Sequence, residues 1–435
     1  MSTVHESAPA QQAASTNGPI MESERLHVLD ILRGFAILGM FIVHFDDNAS
    51  GGGPIGVTVQ KAILWFVTEK GFATFAILFG VSFAIQLYKA DTRGEDVRWR
   101  FLRRLLGVLG FGVLVHAISS ATTLITYAFS GVWLLFVRRW SKRALLVALL
   151  VCLTLNGIWN IAVGSYQWAT MGLERANAVY QSPRRVVPAK LAARQELRAA
   201  EQGTSFLRVA KAREIDLYRT YSDLWGDWQR GSMGVLLGSL SSYPFMFFLI
   251  GLLAVRLGVF ERPAAHQRLL VTVMLVGAVF WAVDQSQLYK TFWPTPWVIP
   301  AARLVRPIQS WFLFGRPPGW GLALTYIAAL TLLVASSKRW ERRFTAIFGA
   351  AGRMALTNYV LQFPVVAVLF DNYAFGVKSL SPLLALLAAV ILFAALVMFS
   401  RWWLARFRLG PAEWVLRSMT YGRLQPLRLT AASGV

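Results

Sequence analysis

The sequence holds a single cysteine, Cys152, in 435 residues. One thiol supplies neither a disulfide framework nor a thiolate metal site, and its place in an apolar run reads as a small apolar filler. Charge is scarce too: Asp, Glu, Lys and Arg make up 15% of the chain, where soluble domains carry about a quarter. No HExxH or paired-ligand spacing is present, so no metal is expected. The glycines of "SGGGPIG" at 50–56 lack a following Lys-Ser/Thr and a flanking strand, which argues against a phosphate loop. Residues 1–24 lack the basic and apolar regions of a cleaved signal peptide and read as a disordered cytoplasmic tail, with a second short tail at 429–435. Asn48-Ala49-Ser50 is a glycosylation sequon by pattern only.

What the chain has in abundance is apolar surface: 56% hydrophobic residues, 17 Trp and 29 Phe. These gather in runs of about 18 residues or more, long enough to cross hydrocarbon as helices. The expected fold is all-α, a polytopic integral membrane bundle in contact with the lipid bilayer. Spans are expected near 29–45, 62–88, 105–120, 122–137, 144–165, 235–257, 269–286, 319–336, 354–370 and 382–402. About ten transmembrane helices with both termini cytoplasmic place every dense basic connection inside, as the positive-inside rule requires. The net charge of +22 therefore marks one side of a membrane, and no nucleic-acid partner is expected.

The segment 166–232 then becomes an external loop inserted in a domain running from 25 to 428. Its stretch "PAKLAARQELRAAEQ" is rich in helix formers, and "IDLYRTYSDLWGDWQ" alternates aromatic and polar residues as a segment resting on a membrane surface would. External residues 287–318 contain six prolines, which forbid a regular helix and suggest an irregular interfacial cap.

The first apolar run, "LDILRGFAILGMFIVHFDD" at 29–47, carries ionisable groups at both ends. At about 100° per residue, Asp30, Arg33 and His44 fall within roughly 60° of one another on one stripe. At about 1.5 Å per residue His44 lies roughly 21 Å along the axis from Asp30. Asp30 and Arg33 would hold the inner edge and His44 the outer part of the membrane. A polar stripe there faces a bundle interior or a wet cavity, although an interfacial i,i+3 ion pair explains Asp30 and Arg33 equally well. Imidazole titrates near neutrality and serves as a general base, and Asp46 or Asp47 behind it would orient it.

Other polar positions read two ways. His116 in the third span either lines a cavity as a second proton carrier or bonds a neighbouring helix. Asn358 and Gln362, four apart in "GRMALTNYVLQ", share one face; they line a cavity or join helices. Ser82 and Gln86 have the same ambiguity. In "GPAEWVLR" the proline suits a first helical position, Glu413 and Arg417 one turn apart suggest a salt bridge, and Trp414 suits an interfacial anchor.

"LDILRGFAILGMFIVHF" resembles the first helix of integral-membrane acyltransferases, which begins Asp-x-Leu-Arg-Gly and places a histidine eleven residues after the Arg. The rest of the chain more closely resembles the bacterial YeiB-like family (domain of unknown function 418) of the transmembrane acyltransferase superfamily. The matching stretches are "TFAILFGVSFAI" at 74–85, "GRMALTNYVLQ" at 352–362 and "RFRLGPAEWVLRSMTYGR" at 406–423, the last two within a C-terminal signature region at 319–428. YeiB-like proteins commonly carry Asn where this chain has His44, so a histidine there is the acyltransferase feature. They also tend to place Asp where this chain has Thr122, ahead of Tyr127.

The resemblance implies a multi-pass protein of the bacterial inner (cytoplasmic) membrane. It implies acyl-CoA, acetyl-CoA first, as the donor substrate and an extracytoplasmic small-molecule, lipid or glycan acceptor with a hydroxyl or amine. His44 would be the general base or acyl carrier, with Asp46 and Asp47 beside it. Asp30, Arg33, Arg353 and Arg417 would meet the donor, and His116, Tyr127, Ser82, Gln86, Asn358 and Gln362 would line the cavity. A homodimer is compatible with this reading. The rival function is a transporter or flippase using the same polar path, and a scaffold is a third.

Overall fold

A computed structural model describes residues 26–91, 97–172, 174–175, 188–222, 238–240, 242–286 and 319–428. Both tails, the proline-rich segment 287–318 and much of 166–232 lie outside the described residues. Among those described the fold is all-helical, with only two isolated bridges, Ala49 with Leu380 and Phe407 with Arg428.

In chain order the helices are α1 (His27–Asp46), α2 (Gly53–Phe66), α3 (Lys70–Asp91), α4 (Arg98–Ser119), α5 (Thr123–Val132), α6 (Leu134–Val137) and α7 (Lys142–Met171). Then come α8 (Pro188–Glu201), α9 (Phe206–Tyr221), α10 (Tyr243–Leu257), α11 (Gln267–Ser286) and α12 (Trp320–Ser336). The last are α13 (Lys338–Phe344), α14 (Ala350–Arg353), α15 (Ala355–Phe370), α16 (Pro382–Leu404) and α17 (Pro411–Tyr421). The apolar runs lie largely in helices where described, but the run expected at 62–88 is divided by a turn at 67–69 between α2 and α3. Among the described residues five helical stretches are long and apolar enough to cross a membrane: His27–Asp46, Gly53–Tyr88, Arg98–Ser119, Pro263–Val283 and Pro382–Leu404. A sixth arises if the bent pair Lys338–Arg353 and Ala355–Phe370 is one span. Thr123–Val137, Tyr243–Leu257 and Trp320–Ser336 are shorter apolar helices.

Local chemistry starts and stops these elements. Ser141, Ser205 and Ser337 accept backbone N–H bonds at the starts of α7, α9 and α13, satisfying donors that a first turn leaves open. Pro382 and Pro411 open α16 and α17, where the missing N–H costs nothing.

Packing rests on close backbone approaches. A Cβ at Gly80 would meet the Phe248 Cα at 2.6 Å, and one at Gly251 the Val81 N at 2.6 Å, so α3 and α10 cross at their small residues. Beside them, Phe75, Phe79, Phe83, Tyr127, Phe248 and Tyr359 interlock as one aromatic core. The outward faces of α11 and α16 stay apolar, with Val279 and Ile391 exposed, as lipid contact requires.

One helix is broken. A π turn at Thr345–Gly349 leads into α14, and the chain then bends by 75° at Met354, where φ is −108° and ψ is 38°. The bend seats the backbone of α14 directly on α1. A Cβ at Gly34 would lie 2.9 Å from the Phe348 backbone carbon, and one at Gly352 only 1.7 Å from the Asp30 carbonyl oxygen. Gly352→Ala is expected to destabilise the protein by about 2 kcal/mol or more, the upper range for an overpacked site. Gly110→Ala, which meets nothing within 4 Å, is expected to stay within about 0.5 kcal/mol. Thermal unfolding followed by tryptophan fluorescence distinguishes the two.

Candidate functional site

The start of α1 supplies a buried carboxylate. Asp30 is 5% exposed and accepts from Arg33 Nη1 at 2.9 Å. Arg33 Nη2 donates to Ser82 Oγ of α3 at 2.8 Å, and Ser82 donates in turn to the Leu78 carbonyl at 2.7 Å. A charge held inside a bundle needs such partners. Here the i,i+3 ion pair is also tied to a second helix. Ser82 and Arg33 thus meet as neighbours, whereas Gln86, one turn further on, is exposed.

Beside this pair lies a cavity of about 350 Å³ lined by His27, Asp30, Thr345, Gly349, Ala350, Arg353, Arg401, Leu404 and Ala405. The π turn and α14 form one wall, and the end of α16 another. Single π turns are frequent at functional sites because they reposition one face of a helix. Arg353 and Arg401 make the lining basic; the Thr345 hydroxyl is buried with no hydrogen-bond partner among the described residues. At the rim His27 Nδ1 lies 3.2 Å from Glu341 Oε1, and Glu341 Oε2 accepts from Lys338 at 2.9 Å.

His44 stands at the opposite end of α1. Its ring is 4.9 Å, centre to centre, from Phe363 on α15, tilted by 57°. Asp46 is half-buried and Asp47 exposed. Partial loss of surrounding water still pushes the Asp47 carboxyl above its ordinary range. Asn48 Nδ2 donates to the His44 carbonyl at 3.0 Å. Asp46 and Asp47 adjoin His44 in the chain, and no hydrogen bond from either carboxylate to its ring is found among the described residues.

The other histidine has the carboxylate. His116 is 4% exposed near the end of α4, and its Nδ1 lies 3.3 Å from Glu214 Oε1 on α9. Arg213, also 4% exposed, donates to the carbonyls of Ala117 and Ile118 that the end of α4 leaves open. It also pairs with Glu201 at 3.5 Å and Asp371 at 3.4 Å. The hairpin α8–α9 is therefore docked on the bundle and contributes a carboxylate to it. The helical reading of "PAKLAARQELRAAEQ" was available from the sequence. The Glu214 contact, 98 residues from its partner, was not.

The remaining sequence-nominated residues separate. Tyr127 is fully buried, donates to the Phe72 carbonyl at 3.3 Å and packs in the aromatic core. Asn358 Nδ2 donates to the Ala351 carbonyl and to Ser400 Oγ, both at 3.0 Å, so it joins α15 to α14 and α16. Gln362 is wholly buried, and neither amide atom has a partner among the described residues. Arg417 lies with its guanidinium 5.8 Å from the Tyr421 ring centre; burial draws it below the usual arginine value.

The expected Glu413–Arg417 salt bridge gives way to a different contact. Glu413 Oε1 accepts from the backbone N–H of Leu356 at 2.6 Å and of Thr357 at 3.2 Å, and Oε2 accepts from the Thr357 hydroxyl at 2.5 Å. The carboxylate caps the start of α15, where open N–H donors and the helix dipole outcompete an exposed ion pair. Burial pushes this carboxyl up, and the hydrogen bonds from Thr357 and the backbone pull it back. Nor is Trp414 a free interfacial anchor, since its Nε1 donates to the Gln425 carbonyl at 2.7 Å.

Family comparison follows the same division of the chain. Residues 254–423 match the family model described as protein of unknown function (DUF418). The stretches at 352–362 and 406–423 lie there, joined by the Glu413 cap. Residues 25–182 match the catalytic model of heparan-alpha-glucosaminide N-acetyltransferase, so the part holding α1 and α4 is acyltransferase-like. The chain is 26% identical over 428 residues to the uncharacterized protein YxaH of Bacillus subtilis, covering 94% of this chain and 97% of that one. It is 25% identical over 419 residues to an uncharacterized 39.9 kDa protein of Bacillus acidopullulyticus, covering 94% and 98%. Identity to the uncharacterized protein YeiB of Escherichia coli reaches 44% over 81 residues, 18% of this chain and 20% of that one. No solved structure matches the chain significantly.

Two substitutions test the contacts. Glu413→Ala leaves the start of α15 uncapped and is expected to cost about 1–3 kcal/mol in thermal or denaturant unfolding. Arg213→Ala strands Glu201 and Asp371, and is expected to speed trypsin cleavage at Arg194 and Arg198 at least tenfold while the bundle itself stays protected.

Proposed function

We propose that the protein is a membrane acyltransferase that takes an acyl group from coenzyme A at the basic end of the bundle. It delivers that group to a hydroxyl or amine acceptor at the opposite end. The observation that carries this reading is the pairing, within the acyltransferase-like stretch, of a buried Asp30–Arg33 unit beside a basic cavity with a histidine at the far end of the same helix. In this reading the protein has ten spans with both termini cytoplasmic, lies in the bacterial inner membrane, and its domain runs from 25 to 428. The cavity beside Arg353 and Arg401 faces the cytoplasm.

The residues then divide the work. Arg33 is fixed by Asp30 and Ser82 and so offers an oriented positive charge without rotamer freedom to lose. Arg353 and Arg401 receive anionic parts of the donor. His44 Nε2 or Nδ1 takes the proton of the acceptor as its oxygen or nitrogen bonds to the acyl carbon. The thioester C–S bond breaks, and the thiolate takes up a proton as it leaves. A transient acyl-histidine uses the same atoms in two steps. Phe363 against the ring limits the positions that His44 can take.

A transporter reading draws on one observation, the broken helix with the unpartnered Gln362 amide in the core, because interrupted helices often border substrate sites. Ligand binding separates the two. Coenzyme A at about 100 times its dissociation constant should stabilise an acyltransferase by about 2.7 kcal/mol and leave a transporter of unrelated cargo unmoved. With labelled acetyl-coenzyme A and native membranes, His44→Ala and His44→Asn are expected to lose at least 99% of acyl transfer at unchanged protein levels. Wild-type rates in both would remove His44 from the chemistry.

A further inference from the structure

Arg104, in the basic first half of α4, is not explained by any contact described so far. Its guanidinium lies 5.1 Å from the centre of the Phe83 ring, and its Nε is closed to solvent with no acceptor among the described residues. Arg33 of α1 and Arg417 of α17 both stand within electrostatic reach of it. Arg408 stands in turn within reach of Arg417. Two guanidinium groups from two other helices therefore share the electrostatic neighbourhood of Arg104.

Negative charge at this place is short. Asp30 is engaged by Arg33, and Glu413 is turned onto Thr357 and the start of α15. Among the described residues no carboxylate forms an ion pair with Arg104 or Arg417. Tyr421, whose ring lies 5.8 Å from the Arg417 guanidinium, brings a hydroxyl to the same neighbourhood as one more donor. Like charges gathered in a partly buried place repel one another. Guanidinium forks fit the oxygens of a phosphoryl group better than any other common anion except carboxylate.

The geometry points to a phosphoryl-binding site built by Arg104, Arg417 and Arg33, none of which lines the cavity of Arg353 and Arg401. Its ligand is a phosphate ester carried either by a soluble cofactor or by the headgroup of an anionic phospholipid at the membrane edge. The cofactor source rests on the acyltransferase reading above, and the lipid source does not.

The test uses full-length protein in phosphatidylcholine nanodiscs and follows thermal unfolding. One arm adds coenzyme A, with pantetheine as the phosphate-free control. The other arm replaces a quarter of the lipid by phosphatidylglycerol. Wild type, Arg104→Gln, Arg417→Gln and the exposed-surface control Arg339→Gln are compared. Stabilisation is expected in at least one arm, with the half-maximal ligand level raised at least tenfold by Arg104→Gln and by Arg417→Gln and unchanged by Arg339→Gln. Should Arg104→Gln fail to fold, Arg417→Gln on the terminal helix carries the test.

An effect of coenzyme A alone assigns the site to the donor. One of phosphatidylglycerol alone keeps the phosphoryl site while counting against the donor reading. No stabilisation in either arm, or stabilisation that both Arg variants retain, overturns the site.

Discussion

The seat of Gly352 on the α1 backbone governs the arrangement of the basic end. With no side chain between them, α14 and α1 approach until the Asp30 carbonyl and the Gly352 Cα are neighbours. The helix breaks just after this contact, at Met354, so α15 leaves at 75° to the segment seated on α1. The bend frees one wall for the cavity and brings Arg353 beside Asp30. It also exposes the first N–H groups of α15, which Glu413 then satisfies. Cavity, ion pair and cap follow from one close contact.

A second constraint acts at the opposite end. The helix α4 finishes inside the folded mass, so its last carbonyls and His116 need partners that the apolar bundle lacks. The inserted hairpin provides them through Arg213 and Glu214. The hairpin is held in return by Glu201 and Asp371, and by Phe206 against Tyr373. An insertion that looks like a polar appendage in the sequence is thus bonded into the structure through a buried cation.

Much of this was legible in the sequence because hydrocarbon-scale apolar runs and Arg-rich connections are local signals. The helices, the Asp30–Arg33 pair and the end-to-end separation of Arg33 and His44 follow from residue spacing alone. The contacts that were not legible are long-range choices among several acceptable partners. Glu413 had Arg417 one turn away, yet the open helix start at Leu356 and Thr357 offered three donors at once. His44 had two acids adjoining it and lies against Phe363, while His116, with no acid nearby in the chain, reached Glu214. The break at Met354 left no proline or glycine at the bend itself to mark it, only Gly352 two residues earlier.

The Glu413 cap also sets an order of assembly. Helix α15 is synthesised more than fifty residues before the carboxylate that completes its start, so the growing chain must hold Leu356 and Thr357 with unfilled donors until α17 leaves the ribosome. Only then do α14, α15 and α17 close around Thr357, whose hydroxyl gives to Glu413 and accepts from the Ala412 N–H. Until α17 is made, the helix start beyond the bend lacks the carboxylate that holds its open donors.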